Sequence, residues 1–157
     1  MQDVQEGSAK VVEMKNHWLF ILFLPLLLLS CMDETPKTKT LDFEEFSIEV
    51  PADWDSFKLQ GYDSKVGGIT NGKMVLTYDY GWYSNDFQNE TVETHHRTVT
   101  EVDGKPAVIV QPIRRGTGVI GVYIEVGGPA RFSLWGRDIK QEEAILAIFQ
   151  SIRFHKI

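Results

Sequence analysis

From Phe46 onward, apolar and polar side chains alternate in short runs, and each run stops at residues that bend the backbone. Phe46, Ile48 and Val50 alternate with Ser47 and Glu49 before Pro51-Ala52-Asp53-Trp54 ends the run. A period of two puts successive side chains on opposite faces of an extended strand, so one face can be buried while the other meets water. Lys73 to Tyr80 repeats the pattern after the turn pair Asn71-Gly72, with Met74, Leu76, Tyr78 and Tyr80 on one face. Thr94 to Val102 and Lys105 to Gln111 flank Asp103-Gly104, a pair suited to the left-handed backbone of a two-residue hairpin. Val119 to Val126 follows Gly116-Thr117-Gly118, and Arg131 to Gly136 follows Gly127-Gly128-Pro129. The pattern predicts a largely antiparallel β-sheet meander.

The period then changes. Asp138 is expected as a helix N-cap with Gln141 three residues on, and Glu142 and Glu143 suit the positive end of the helix dipole. Ala144, Ile145, Ile148, Phe149 and Ile152 recur at helical spacing. The fold class expected is therefore α+β, with a C-terminal amphipathic helix packed on one face of the meander.

An opening "FSIEVPADW", a meander of strands and a closing helix that runs into "AIFQSIRF" resemble the PsbP-like family. The resemblance spans nearly all of Leu41 to Ile157 and rests chiefly on Phe46 to Trp54 and Ile145 to Phe154. It implies an α+β domain that acts in binding or assembly without enzymatic chemistry. It carries no functional residues over, because the matching positions are structural. A small closed barrel of the lipocalin kind is the alternative architecture, disfavoured because its strands are longer and more regular.

Ahead of this domain lies "LFILFLPLLLLSCMDETPKTKT". Trp18 to Leu29 is an apolar run whose helical length of roughly 18 Å falls short of a hydrocarbon core of about 30 Å. A short positive flank, this run and small Ser30 are the parts of a secretory signal peptide, with a signal anchor as the alternative. Leu28-Leu29-Ser30-Cys31 resembles the lipobox of bacterial lipoproteins. That resemblance implies cleavage before Cys31 and acylation of its sulfur and new amino terminus, which fixes the protein to a membrane. Residues Met1 to Glu13 are net acidic, against the basic start such a peptide needs, so translation is expected to begin at Met14. The expected organisation is a signal peptide over 1–30, a lipidated cysteine and flexible tether over 31–40, and a domain over 41–157. The acidic pair Asp33-Glu34 resembles a surface-export signal of Bacteroidetes lipoproteins, and an ordinary solvated linker explains it equally well.

From Cys31 onward the chain has 14 Lys or Arg against 19 Asp or Glu, a net of −5 with both signs interspersed. Nucleic acid is excluded as an expected partner, since phosphate binding needs a clustered positive field. Cys31 is the sole cysteine, so no intramolecular disulfide can form, and acylation would also remove its free thiol.

Few residues of the chain are arranged as chemistry requires. His95-His96 attracts attention as a metal site, yet neighbours on a strand face opposite ways, so no metal is expected. No G-x-S-x-G elbow occurs, and no catalytic residues are assigned. Gly116 to Gly121 matches G-x-G-x-x-G, but a β-rich run follows where a dinucleotide site needs a helix. Arg114-Arg115 reads as a solvated pair. The strongest candidate is Tyr78 to Asp86, where a strand ends in a loop carrying aromatics among small polar residues. Tyr80, Trp82, Tyr83 and Asp86 are the expected binding surface, with coverage of the core's open edge as the competing explanation.

The sequence thus leads to a lipid-anchored protein of the bacterial cell envelope, in the outer membrane and either periplasmic or surface-exposed. Its expected role is a non-enzymatic binding or assembly module for an envelope protein or other envelope component, without a cofactor beyond the lipid on Cys31. The alternative is a small hydrolase or metal-dependent enzyme using His95 or His96 with a nearby acid.

Overall fold

A computed structural model of the chain describes residues 37–155. The expected signal peptide, the expected start at Met14 and the lipidation expected at Cys31 lie outside the described residues. Among the described residues no helix is long and apolar enough to cross a membrane.

The domain is mostly β, built as two antiparallel sheets, and this corrects the expected α+β architecture. Strand β1 (Thr38–Asp42) pairs with β2 (Phe46–Pro51), and a short C-terminal strand β10 (Arg153–Phe154) pairs with the other side of β2. The larger sheet contains β3 (Asp55–Lys58), β4 (Lys65–Thr70), β5 (Val75–Gly81), β6 (His95–Val102), β7 (Lys105–Pro112), β8 (Val119–Gly127) and β9 (Ala130–Arg137). Its order is β3-β4-β5-β9-β8-β7-β6, with every neighbour antiparallel. The single helix among the described residues, α1 (Glu142–Gln150), is nine residues long.

The meander alternation is realised in β5 to β9, but Phe46–Pro51 does not join that sheet. It forms the centre of the small sheet, and it is this sheet that meets the core face of the large one. Phe46 packs its ring 4.7 Å from Phe132 and 5.1 Å from Tyr78. Ile48, Val50, Leu76, Ile109, Ile120, Val122 and Leu134 fill the same core. Helix α1 adds Ile145, Ile148 and Phe149 beside β2 and β8, and is too short to cover a sheet face. Ala144, expected on its buried face, is exposed.

Strand β1 begins at Thr38, inside the segment expected as a tether. Its Thr-Lys-Thr-Leu-Asp sequence buries little, and it is held by its ladder to β2, from Thr38 opposite Pro51 to Asp42 opposite Ser47. Main-chain hydrogen bonding fixes it where side-chain burial could not.

The helix also starts later than its expected cap. Asp138 stands in the left-handed region at φ 57° and its carboxylate accepts the Gly118 N–H at 2.6 Å. Gln141 occupies the N-cap without a side-chain hydrogen bond. Glu142 is buried and accepts from Gln111 Nε2 (2.8 Å) and from the Gly116 N–H (2.9 Å), tying the helix start to β7 and the turn before β8. At the β6–β7 hairpin, Asp103 (φ 54°) and Gly104 (φ 67°) form the expected tight turn, with Val102 opposite Lys105.

Candidate functional site

Strand β5 delivers its last residues to one end of the domain. Tyr80 packs inward, its ring centroid 6.3 Å from Phe132 and 6.4 Å from Phe46. Gly81 is buried, and there the chain leaves the sheet. Ser84, also buried, anchors the loop that follows: its hydroxyl lies 2.9 Å from the Asp79 carbonyl and 3.1 Å from the Arg131 carbonyl. With Ser84 pinned, the intervening pair is held outward. Trp82 is 68% exposed and Tyr83 82% exposed, so neither covers the core edge.

A second loop, between β3 and β4, comes up against this one through glycines. A Cβ at Gly81 would stand 2.5 Å from the Ser64 Cβ, and a Cβ at Gly61 would stand 2.1 Å from the Ser64 carbonyl oxygen. The absence of a side chain at Gly81 lets the two loops touch, and its absence at Gly61 lets the β3–β4 loop fold tightly on its own Ser64. The contact sets Tyr62, which is fully exposed, across from Trp82. Between them is an open cleft of about 390 Å³ lined by Tyr62, Asp63, Ser64, Lys65, Tyr80 and Trp82, with Ala130 beneath.

The cleft has neighbours on both sides. Tyr80 and Ala130 also line a hollow of about 510 Å³ bounded by Asp103, Lys105, Phe154 and His155. There Lys105 Nζ sits 5.7 Å from the Phe154 ring centroid and donates to the Val126 carbonyl at 2.9 Å. Ser64 and Lys65 line a third hollow of about 480 Å³ with Glu44 and Glu45, both ion-paired to Lys65. The Lys65 ammonium, hydrogen-bonded to Glu44 at 2.8 Å, holds that carboxyl below the usual carboxylate range. The whole end is thus a belt of aromatic faces with charged and hydroxyl groups between them, the mixture that gives contact area together with orientation.

The structure divides the residues expected here. Tyr80 and Trp82 line the cleft, and Tyr83 is exposed next to it. Asp86 turns to local work: its carboxylate accepts from Gln88 Nε2 (2.6 Å) and from the Gln88 N–H (3.3 Å). Tyr62 was missed. Its signal was present, since Gly61-Tyr62-Asp63-Ser64 has the same composition of an aromatic among small polar residues as Gly81-Trp82-Tyr83-Ser84.

The other chemical candidates lie elsewhere. His95 is buried, with Nε2 3.0 Å from the Val119 carbonyl oxygen and Nδ1 2.9 Å from Thr94 Oγ1, whereas His96 is exposed. Among the described residues no three His, Cys, Asp or Glu side chains converge on a point that would hold a metal. Gly121 lies inside β8 with the Phe87 ring packed over it, so close that a Cβ would come within 2.6 Å of the ring. The glycine motif is therefore a turn running into a strand. Arg115 pairs with Glu143 and donates to the Lys140 carbonyl at 3.0 Å, which docks the turn on the helix.

No protein-family model matches the chain, and comparison with curated proteins gives no match.

Proposed function

We propose that this is a lipid-anchored bacterial envelope protein whose β-rich domain binds an envelope component at the Tyr62–Trp82 end, without catalysing a reaction on it. The observation that carries the reading is the pair of exposed aromatics, Tyr62 and Trp82, held across a cleft of mixed polar and apolar lining by loops that close-packed glycines and the buried Ser84 hydroxyl make rigid. Ordered exposed aromatics cost little conformational entropy on binding and supply most of the contact energy in recognition surfaces. The anchor rests on Leu28-Leu29-Ser30-Cys31 and the apolar run before it. A lipid at Cys31 keeps the domain at the membrane surface, where even modest affinity for a neighbouring envelope component is effective because both are confined.

Two measurements test the two halves separately. Metabolic labelling with a clickable palmitate should mark the wild-type protein and leave Cys31→Ala unmarked; equal labelling of both overturns the anchor. Capture of isolated envelope material by the wild-type protein should fall in Trp82→Ala and Tyr62→Ala at unchanged melting temperature. Capture that is the same in all three places the binding surface elsewhere.

A further inference from the structure

The large sheet ends on β6, an eight-residue edge strand that is exposed along most of its length. The opposite edge, β3, has only four residues, and its Asp55 is ion-paired to Lys39. Long open edges offer unpaired N–H and C=O groups to another strand, and β6 has neither proline nor bulge to prevent it.

The hairpin turn settles which groups are free. Asp103-Gly104 closes a two-residue loop, so Val102 and Lys105 form a hydrogen-bonded pair and every second residue back from Val102 bonds to β7. Consistently, the Ile113 N–H donates to the Thr94 carbonyl at 3.0 Å. The N–H and C=O groups of Arg97, Val99 and Glu101 therefore point out of the sheet edge. Val99 is also 84% exposed, the one apolar side chain of β6 apart from the buried Val102 at its end.

We propose that β6 pairs antiparallel with β6 of a second copy of this chain, on a two-fold axis through Val99, joining the two large sheets into one. Outward-pointing residues must face outward-pointing residues, which forbids an axis at the strand's own midpoint between Thr98 and Val99. The nearest permitted axes pass through Thr98 or through Val99. On the Thr98 axis Arg97 faces Val99 and Glu101 faces His95. On the Val99 axis Arg97 faces the second copy's Glu101, and the symmetry makes that pair twice. The same axis sets Thr98 against Thr100 and Val99 against itself. Opposite charges, paired threonines and β-branched residues are the cross-strand combinations that stabilise antiparallel sheets. Among the described residues Glu101 has no ion pair or hydrogen bond. The Arg97 guanidinium uses only Nη1, on the Phe87 and Glu90 carbonyls, leaving its other N–H groups for a carboxylate. A two-fold axis buries the same patch on both copies, as closed dimers require.

Sedimentation of the full chain in detergent, across a concentration series, tests this. The expected result is a monomer–dimer equilibrium that Val99→Pro abolishes, since proline removes the outward N–H at the axis and its own fold needs none there. Glu101→Lys puts like charges opposite each other twice and should weaken the dimer about tenfold, near 1.4 kcal/mol. That variant decides the matter if Val99→Pro fails to fold. In a Cys31→Ser chain, Val99→Cys should oxidise to a disulfide dimer, its Cα atoms about 5.5 Å apart across the axis, within disulfide reach. A Thr98→Cys dimer in its place overturns the register. A chain that is monomeric throughout, or a dimer indifferent to both Val99→Pro and Glu101→Lys, overturns the pairing.

Discussion

Gly81 and Ser64 are packed so tightly that the loop after β5 and the loop before β4 behave as one unit, with room between Gly81 Cα and Ser64 Cβ for a hydrogen and nothing larger. Gly81→Ala therefore forces the loops apart. Overpacking of this kind costs about 1–3 kcal/mol, and the neighbour here is a Cβ that has no flexible end to swing away. Urea unfolding should report the loss of stability. Capture of envelope material should fall as well, because Tyr62 and Trp82 lose their fixed separation.

Trp82 and Tyr80, two residues apart, should respond in opposite ways to the same truncation. Trp82→Ala removes a ring that is mostly in water and should change unfolding free energy by no more than about 0.5 kcal/mol. Tyr80→Ala removes a ring packed against Phe46, Phe132 and Phe154 and should cost about 2 kcal/mol. Thermal melting of the two variants side by side checks the difference. If Trp82→Ala is the more destabilising, the aromatic loop belongs to the core rather than to a binding surface.

What the sequence made legible follows from how each element is held. Strands β5, β7, β8 and β9 place apolar residues at period two on the core face, as in Leu76, Tyr78 and Tyr80 or Ile120, Val122 and Ile124, and Asp103-Gly104 marks the β6–β7 hairpin through a backbone that few other pairs adopt readily. Strand β1 was invisible because main-chain bonds to β2 hold it, which leave no hydrophobic pattern. Strand β4 was hidden differently. Its Gly67 and Gly68 have no side chains to alternate, yet they lie in the sheet, where the rings of Tyr78 and Phe57 occupy the space those side chains would take. Asp138 had the composition of a cap and is used instead in a left-handed turn facing Gly118. The fold class was misjudged for the first of these reasons: with β1 and β10 unseen, the helix was left as the only cover for the sheet. At the site, Trp82 and Tyr83 were legible from loop composition. Tyr62 joins them only through a glycine contact between loops about twenty residues apart, which no local pattern encodes.

Glu142 is the buried carboxylate on which the helix start depends. Its two oxygens accept from Gln111 Nε2 and from the Gly116 N–H, so Glu142→Ala leaves both donors unpaired as well as losing two bonds. Charged hydrogen bonds contribute about 1.5–3 kcal/mol, so a total loss of about 3 kcal/mol is expected in urea unfolding. Glu142→Gln should recover part of this, because its amide oxygen still accepts from Gly116. Arg115→Ala, which breaks a largely exposed pair with Glu143, should cost under about 1 kcal/mol in the same assay.

Tyr78 gives the domain a predicted limit on the alkaline side. Burial raises its phenol above the ordinary value of 10.0, and burial raises Tyr123 in the same direction despite the opposing charge of Arg131. A raised pKa in the folded state means the folded protein keeps a proton that the unfolded chain releases. The stability this reflects is complete below the unfolded value and declines as pH rises from there toward the folded values. Stability is therefore expected to begin declining near pH 10, the ordinary tyrosine value. Tyr78→Phe with Tyr123→Phe removes both groups and should shift the alkaline midpoint upward, with little change at neutral pH. Circular dichroism against pH, for the double variant beside the wild type, checks the shift; coincident curves would show that the alkaline limit lies with other groups.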